Sequence, residues 1–163
     1  MEPLSRTELS EWRIVEELYP SLRRFAAVVA PTDLEPDDLL QEALVSVLRK
    51  RSLSDLDHPA AYLRKTILNV AHGHNRGRER WRRAMTTYAA SSAGSISPGY
   101  PSDLDELLRL PPRERATLYL HEVEGYRFSE IGSLIGCSES AARKASSRGR
   151  KRLSQALRAE VTP

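Results

Sequence analysis

Apolar side chains return at three- and four-residue intervals along almost the whole chain, the spacing of amphipathic helices. Trp12, Val15, Leu18, Leu22, Phe25, Ala26 and Val29 form one such stripe, with Pro20 inside it and Pro31 beyond its end. The spacing predicts one helix, bent near Pro20, because proline removes a helix hydrogen bond. Pro36 suits the first turn of a second helix, and Asp37 and Asp38 suit its positive end. Leu40, Ala43, Leu44, Val47 and Leu48 are its expected buried face, and Arg49, Lys50 and Arg51 suit its C-terminus. Residues 52–58 read as a short loop. Pro59 opens a third helix, buried through Tyr62, Leu63, Ile67, Val70 and Ala71, then basic to Arg83. No segment alternates as a strand does, so the expected fold class is all-α.

Residues 84–101 break the pattern. They carry no charge and are rich in Ser, Ala, Gly and Pro, so they read as a flexible linker. The chain is thus expected to form two small helical domains, residues 1–83 and 102–163. The second opens with Ser102 ahead of Asp103, Asp105 and Glu106, a capped helix start whose apolar positions are Leu104, Leu107, Leu108 and Leu110. Pro111-Pro112 ends it. A further helix runs from Arg113 to about Glu124, packing through Ala116, Leu120 and Val123, and Gly125 stops it.

Ser129 to Arg152 then reads as a helix, a tight turn at Gly136 and a second helix loaded with cations. Gly132 stands four residues before the turn glycine. Ile131, Ile135 and Cys137 are apolar, and Ala142 falls where the second helix packs back on the first. This is the pattern of a helix-turn-helix, whose second helix enters the DNA major groove. Gly136 permits the positive φ of such a turn, and Ser138 can cap the helix that follows.

Charge sharpens the picture. The chain has 163 residues and a formal net charge of only +3, with a pI near 9.2. Residues 1–57 hold 12 acidic and 7 basic side chains, and residues 58–83 hold 1 and 7. Residues 102–139 hold 8 and 4, and residues 143–152 hold none and 6. Two basic blocks alternating with two acidic ones suit two DNA-facing surfaces and a separate protein-facing one. The single Cys137 excludes an intrachain disulfide and a cysteine zinc cluster, and its spacing from His72 and His74 suits no closed zinc site. Asp, His and Ser form no catalytic pattern. No run approaches the roughly 20 apolar residues of a membrane span, and the N-terminus lacks the apolar stretch of a signal peptide. A cytoplasmic, non-enzymatic protein without cofactor or metal is expected.

The order of motifs resembles a known family. Asp38-Leu39-Leu40-Gln41-Glu42-Ala43 resembles the acidic helix of region 2 in bacterial sigma factors. Pro59-Ala60-Ala61-Tyr62-Leu63-Arg64-Lys65-Thr66-Ile67-Leu68-Asn69-Val70-Ala71 resembles the next region 2 helix, with Tyr62 where Trp is common. Leu110 to Arg115, Glu122 to Tyr126 and Ser129 to Gly132 resemble region 4. With a linker in place of a region 3 domain, the chain resembles an extracytoplasmic-function sigma factor of the sigma-70 family. The resemblance implies binding to core RNA polymerase and promoter-specific initiation. Region 2 would dock on the clamp helices of the largest subunit and open the −10 element. Region 4 would bind the −35 element and lean on the flap of the second-largest subunit. An anti-sigma partner is a further family-level expectation.

Carried onto this sequence, Asp38, Gln41 and Glu42 share one helix face and become the polymerase-binding set. Asp37 and Asp38 also compensate the helix dipole. Lys65, Asn69, His72, Asn75, Arg76 and Arg80 become the −10 set, with Arg78, Arg82 and Arg83 as phosphate contacts. Asn69 can read adenine or form a local hydrogen bond. The loop 52–58, where the family captures a flipped base, has no aromatic to stack on it. Glu139, Ser140, Arg143, Lys144, Ser147, Arg148 and Lys151 become the −35 set. The second helix departs from the family: Ala142, Ser146 and Gly149 are smaller than usual and suggest a thin core beneath it. Two rival readings remain, a helix-turn-helix regulator independent of polymerase and a sigma-like co-sigma or antagonist acting by protein contacts.

Overall fold

The computed structural model describes residues 6–88 and 102–161, with side chains over 9–85 and 106–158. Among these residues there are seven α-helices and no strand. They are α1 (Arg6–Val29), α2 (Pro36–Leu48), α3 (Pro59–Tyr88), α4 (Ser102–Arg109), α5 (Pro112–Leu118), α6 (Phe128–Ile135) and α7 (Glu139–Val161). A 3-10 turn, Leu53–Asp55, interrupts the 52–58 loop, and α5 runs on as a wider π turn, Tyr119–Val123.

α1 continues through Pro20. Pro36 stands in the first turn of α2, where its missing N–H is no loss. α3 is longer than the sequence suggests. It reaches Tyr88, five residues into the segment read as linker; residues 89–101 of that segment lie outside the described residues.

The core of the first half is Leu22, Phe25, Ala26 and Val29 of α1, Leu39, Leu40, Ala43 and Val47 of α2, and Leu63, Ile67, Leu68 and Ala71 of α3. Leu53 of the short loop is also fully buried, and its N–H donates to the Glu11 carboxylate at 3.3 Å. Three apolar positions depart from the periodic expectation: Trp12 is 63% exposed, Val123 71% and Leu48 42%. Trp12 lies in the part of α1 beyond the reach of the core, where Ile14, Val15 and Leu18 are only partly covered. Val123 sits in the π turn, whose extra residue rotates it off the stripe begun by Ala116 and Leu120.

The helix-turn-helix forms as expected. Gly136 has φ 71° and Gly125 φ 75°. The Cys137 N–H donates to the Gly132 carbonyl at 2.9 Å, closing the turn. Ser138 Oγ accepts from the Ala141 N–H at 3.1 Å, capping α7. The expected thin core under α7 is corrected. Ala142, Ala145, Ser146 and Gly149 are all buried and let α7 approach α5 and α6 closely. A Cβ on Gly149 would stand 2.9 Å from Leu118 Cδ1, so the small residue admits a large neighbour. Glu114, only 4% exposed, adds an ionic clamp: it bonds Arg148 Nε at 3.3 Å and Arg152 Nη1 at 3.0 Å.

The halves do not stand apart. α1 packs on α5, and α3 packs on both α5 and α6. Ala116, Leu120, Ile131, Ile135 and Ala142 join the first-half residues in one continuous core.

Candidate nucleic-acid interface

Three helix faces hold the candidate residues. On α2 the acids are sorted by role. Asp37 is bound into the fold: Tyr19 Oη donates to it at 2.8 Å, and Arg23 grips it at 2.9 and 3.1 Å. The Arg23 and Tyr19 hydrogen bonds hold its carboxyl below the ordinary value. Asp38, Gln41 and Glu42 are exposed on one face, and exposed Val45 and Leu48 continue it. Glu42 reaches sideways to His74 of α3 at 2.8 Å. His74 is thus a hydrogen-bond partner of α2.

On α3, Lys65, Asn69, His72 and Arg76 fall at four-, three- and four-residue steps, a single stripe. Lys65, Asn69, Arg76 and Arg80 are exposed, whereas His72 and Asn75 are half-buried. Burial, and then the charges of Arg113, Arg76 and Arg115, push the His72 pKa down. A neutral imidazole has no charge to offer a phosphate. Of the further cations, Arg78 pairs with Asp33 at 3.2 Å, and Arg82 and Arg83 both hold Glu79 at 2.9 Å. Arg51 lies over the Tyr62 ring, 5.2 Å from its centre.

On α7, Glu139, Ser140, Arg143, Lys144, Ser147, Arg148 and Lys151 are all exposed. Arg143 is held in place by Glu139 at 2.6 Å and by the Phe128 ring, 5.0 Å from its centre. Such a guanidinium is fixed before any base edge arrives, which lowers the entropy lost on contact. Arg148 is exposed but tied to Glu114, so it also holds α7 in place. The helix N-terminus, Ser138 cap and cationic C-terminal half together make a surface fit for a duplex groove.

Sequence reasoning missed the residues between the halves. Arg115 is 1% exposed and donates to the Ala30 carbonyl at 3.0 Å and the Val29 carbonyl at 3.1 Å. Burial lowers its pKa to about 10, which leaves it charged near neutral pH. Tyr119 Oη donates to Glu124 at 3.0 Å, and Glu124 lies 4.0 Å from Arg64. The basic, polar character of Arg115 and Arg64 gave no sign that they would be buried. No helix of the described residues is long and apolar enough to cross a membrane.

Comparison with known proteins gives concordant matches for both halves. The family model for sigma-70 region 2 matches residues 14–88, and that for sigma-70 region 4 matches residues 104–153. Over 148 residues the chain is 30% identical to the RNA polymerase sigma factor CarQ of Myxococcus xanthus, covering 85% of this chain and 83% of CarQ. It is 27% identical over 142 residues to the probable ECF RNA polymerase sigma factor SigI of Mycobacterium tuberculosis, spanning 78% of this chain and about half, 49%, of SigI. Among solved structures it shares its fold with the sigma factor RpoE of Bartonella quintana, crystallised with the anti-sigma factor NepR. The TM-score is 0.63 at 20% identity, covering 93% of this chain and 97% of that one.

Proposed function

The chain belongs to the sigma-70 family of RNA polymerase sigma factors, of the extracytoplasmic-function type, and we propose how its two halves divide the work. As a sigma factor it acts with RNA polymerase and directs promoter-specific transcription initiation. In the proposed division, residues 1–83 form the polymerase- and −10-facing domain. Asp38, Gln41 and Glu42 dock on the clamp helices of the largest subunit. Lys65, Asn69, Asn75, Arg76 and Arg80 contact the opened −10 element, with His72 behind them. Residues 102–163 form the −35 domain, reading duplex DNA through Glu139, Ser140, Arg143 and Ser147, with Lys144, Arg148 and Lys151 on phosphates. The same domain leans on the flap of the second-largest subunit. Residues 84–101 tether the two, in a protein that works in the cytoplasm. An anti-sigma factor is proposed as a regulator. The rival readings, a polymerase-independent regulator or a co-sigma, are not favoured, since both halves and their order match sigma factors.

The observation that carries the reading is the sorting of α2's acids. Asp37 is engaged within the fold, whereas Asp38, Gln41 and Glu42 face solvent together. Electrostatic steering needs such a face and fold stability does not. The test is co-purification with bacterial core polymerase. Glu42→Arg should lose core binding at unchanged helix content, while Asp37→Asn should lower thermal stability and keep core binding. Equal core binding by wild type and Glu42→Arg would refute the docking face.

A further inference from the structure

The π turn after α5 carries a side chain towards the base-reading end of α7. Its extra residue shows in the hydrogen bonds. The Glu124 N–H reaches back to the Tyr119 carbonyl at 3.2 Å, and the Tyr126 N–H to the Leu120 carbonyl at 2.9 Å. Gly125, at φ 75°, turns the chain between them. Tyr126 is thereby brought beside His121, and the two are joined at 2.9 Å between Nδ1 and the Tyr126 carbonyl. A carbonyl only accepts, so Nδ1 carries the proton and the imidazole is fixed in place. That ring stacks on Phe128, with centroids 4.2 Å apart and planes 28° from parallel. Phe128 opens α6, whose first turn is tied by the Arg127 N–H to Glu130 Oε2 at 2.7 Å. The Phe128 ring centre in turn lies 5.0 Å from the guanidinium carbon of Arg143. His121, Phe128 and Arg143 therefore form one series of contacts from the π turn through α6 to α7. Next to His121, Glu122 reaches Arg150 at 3.7 Å. The π turn is thus braced on α7 at a second point, about two helical turns beyond Arg143.

We propose that Phe128 and His121 are positioning residues for Arg143, so that part of the −35 preference is set from outside the recognition helix. The inference rests on the reading of α7 as the −35 helix. Core packing does not require this series. Ile131, Ile135, Ala142 and Ala145 are buried and hold α6 to α7, whereas His121 and Phe128 are only half-buried and Arg143 is exposed. At such a rim a ring pair and a cation–π contact add modestly to stability. What they restrict is where the guanidinium can point. Glu139 takes one Arg143 N–H from the same helix at 2.6 Å. The Phe128 ring bounds the guanidinium from another helix, and a contact to ring carbons uses no hydrogen bond. The remaining donors stay available for a base edge. Phe128 thus sets the direction of Arg143, and His121, held by the Tyr126 carbonyl, sets Phe128.

The test uses the intact chain bound to bacterial core polymerase. The complex selects from a library of duplexes with a randomised stretch, and sequencing the retained DNA gives the preference at each base position. Arg143→Ala identifies the positions that Arg143 reads; a bidentate arginine contact discriminates between bases by roughly 5- to 150-fold. Phe128→Leu keeps apolar bulk and removes the ring. It should weaken the preference several-fold at those positions and leave the others unchanged. Phe128→Tyr, which keeps the ring, should retain the wild-type preference. His121→Leu should act at the same positions with a smaller loss, and it carries the test if Phe128→Leu folds poorly by circular dichroism. The salt dependence of binding should not change in either variant, because no phosphate contact is removed. Wild-type preference at the Arg143 positions in both Phe128→Leu and His121→Leu would overturn the positioning role while Arg143 stood as a reader. A loss spread evenly over all positions and shared by Phe128→Tyr would overturn it as well, in favour of a packing role. No change at any position in Arg143→Ala would overturn the −35 reading of Arg143 and the positioning with it.

Discussion

Alanine at Gly132 gives the sharpest test of how α7 is positioned. A Cβ built there would lie 2.6 Å from the Cys137 carbonyl oxygen and 3.3 Å from Glu139 N and Ser138 C. Carbon–oxygen contacts normally open to about 3.3 Å or more. All three obstacles are backbone, so no rotamer change relieves them. The turn itself must move, and with it the Cys137 N–H to Gly132 carbonyl bond that closes the turn. Overpacking of this kind costs about 1–3 kcal/mol, with backbone obstruction placing it at the upper end. Alanine returns about 1 kcal/mol of helix propensity, so the net loss is about 2 kcal/mol. At about 2–4 °C per kcal/mol for a chain of this size, Gly132→Ala should melt about 4–8 °C lower. Gly149→Ala is the control. Its Cβ would meet Leu118 Cδ1 at 2.9 Å, a methyl that can rotate away, so propensity should offset the contact and leave the melting point near wild type. Gly136→Ala should fall between them, losing about 1–2 kcal/mol to its positive φ. Thermal melts followed by circular dichroism rank the three. A neutral Gly132→Ala, or a Gly149→Ala that is worse, would refute the backbone-clash reasoning.

Glu114→Gln should lower stability by about 1–2 kcal/mol in denaturant melts, because it weakens two charge-assisted bonds from half-exposed arginines to a buried carboxylate. The His72 pKa is depressed in the fold first by burial and then by Arg113, Arg76 and Arg115, with Asp33 and Glu79 also lining the cleft. The unfolded chain binds the proton more readily, so stability is complete above the unperturbed 6.5 and declines as pH falls below it. Melts between about pH 7.5 and pH 5.5 should therefore show a larger drop for wild type than for His72→Gln; equal drops would remove His72 as the cause. Lys144→Ala should reduce the salt dependence of −35 duplex binding by about one phosphate, a slope change of about 0.9, and leave the melting point unchanged.

The helices were legible because their signals are local. Pro36 and Pro59 mark starts, Pro111-Pro112 marks a break, and Gly125 and Gly136 mark ends with positive φ. The Asp38, Gln41 and Glu42 face was legible for the same reason, since i, i+3 and i+4 settle it before any tertiary contact. Trp12 misled because a stripe says which side of a helix is apolar, and not how far along it the core extends. Val123 misled because a π turn shifts the phase of the stripe, and no residue type announces a π turn. The small residues of α7 were read as missing packing when they are close approach: Leu118 fills the space above Gly149. The packing of the two halves was not legible at all. Its chief contact joins Arg115 to carbonyls 85 and 86 residues away, and a carbonyl has no signature in sequence.

The distribution of ion pairs revises which cations are available to DNA. A count of basic residues treats Arg and Lys alike, but in the described residues arginine makes the ion pairs with carboxylates and lysine makes none. The planar guanidinium suits bidentate and shared carboxylate contacts, so arginine is drawn into the fold. On α7 this leaves Lys144 and Lys151 exposed without a carboxylate, whereas Arg148, Arg150 and Arg152 engage Glu114 or Glu122. A phosphate that recruits Arg148 must compete with Glu114; one that recruits Lys151 competes only with water. Under the proposed −35 reading, Lys144 and Lys151 are then the cations most free to meet a phosphate, and Arg148 meets one only by giving up Glu114. An Arg148→Ala variant should lose stability together with DNA affinity, and a Lys151→Ala variant should lose affinity alone. Comparing melts with salt-dependent duplex binding for that pair separates the two roles, and equal stability loss in both variants would show that the division does not hold.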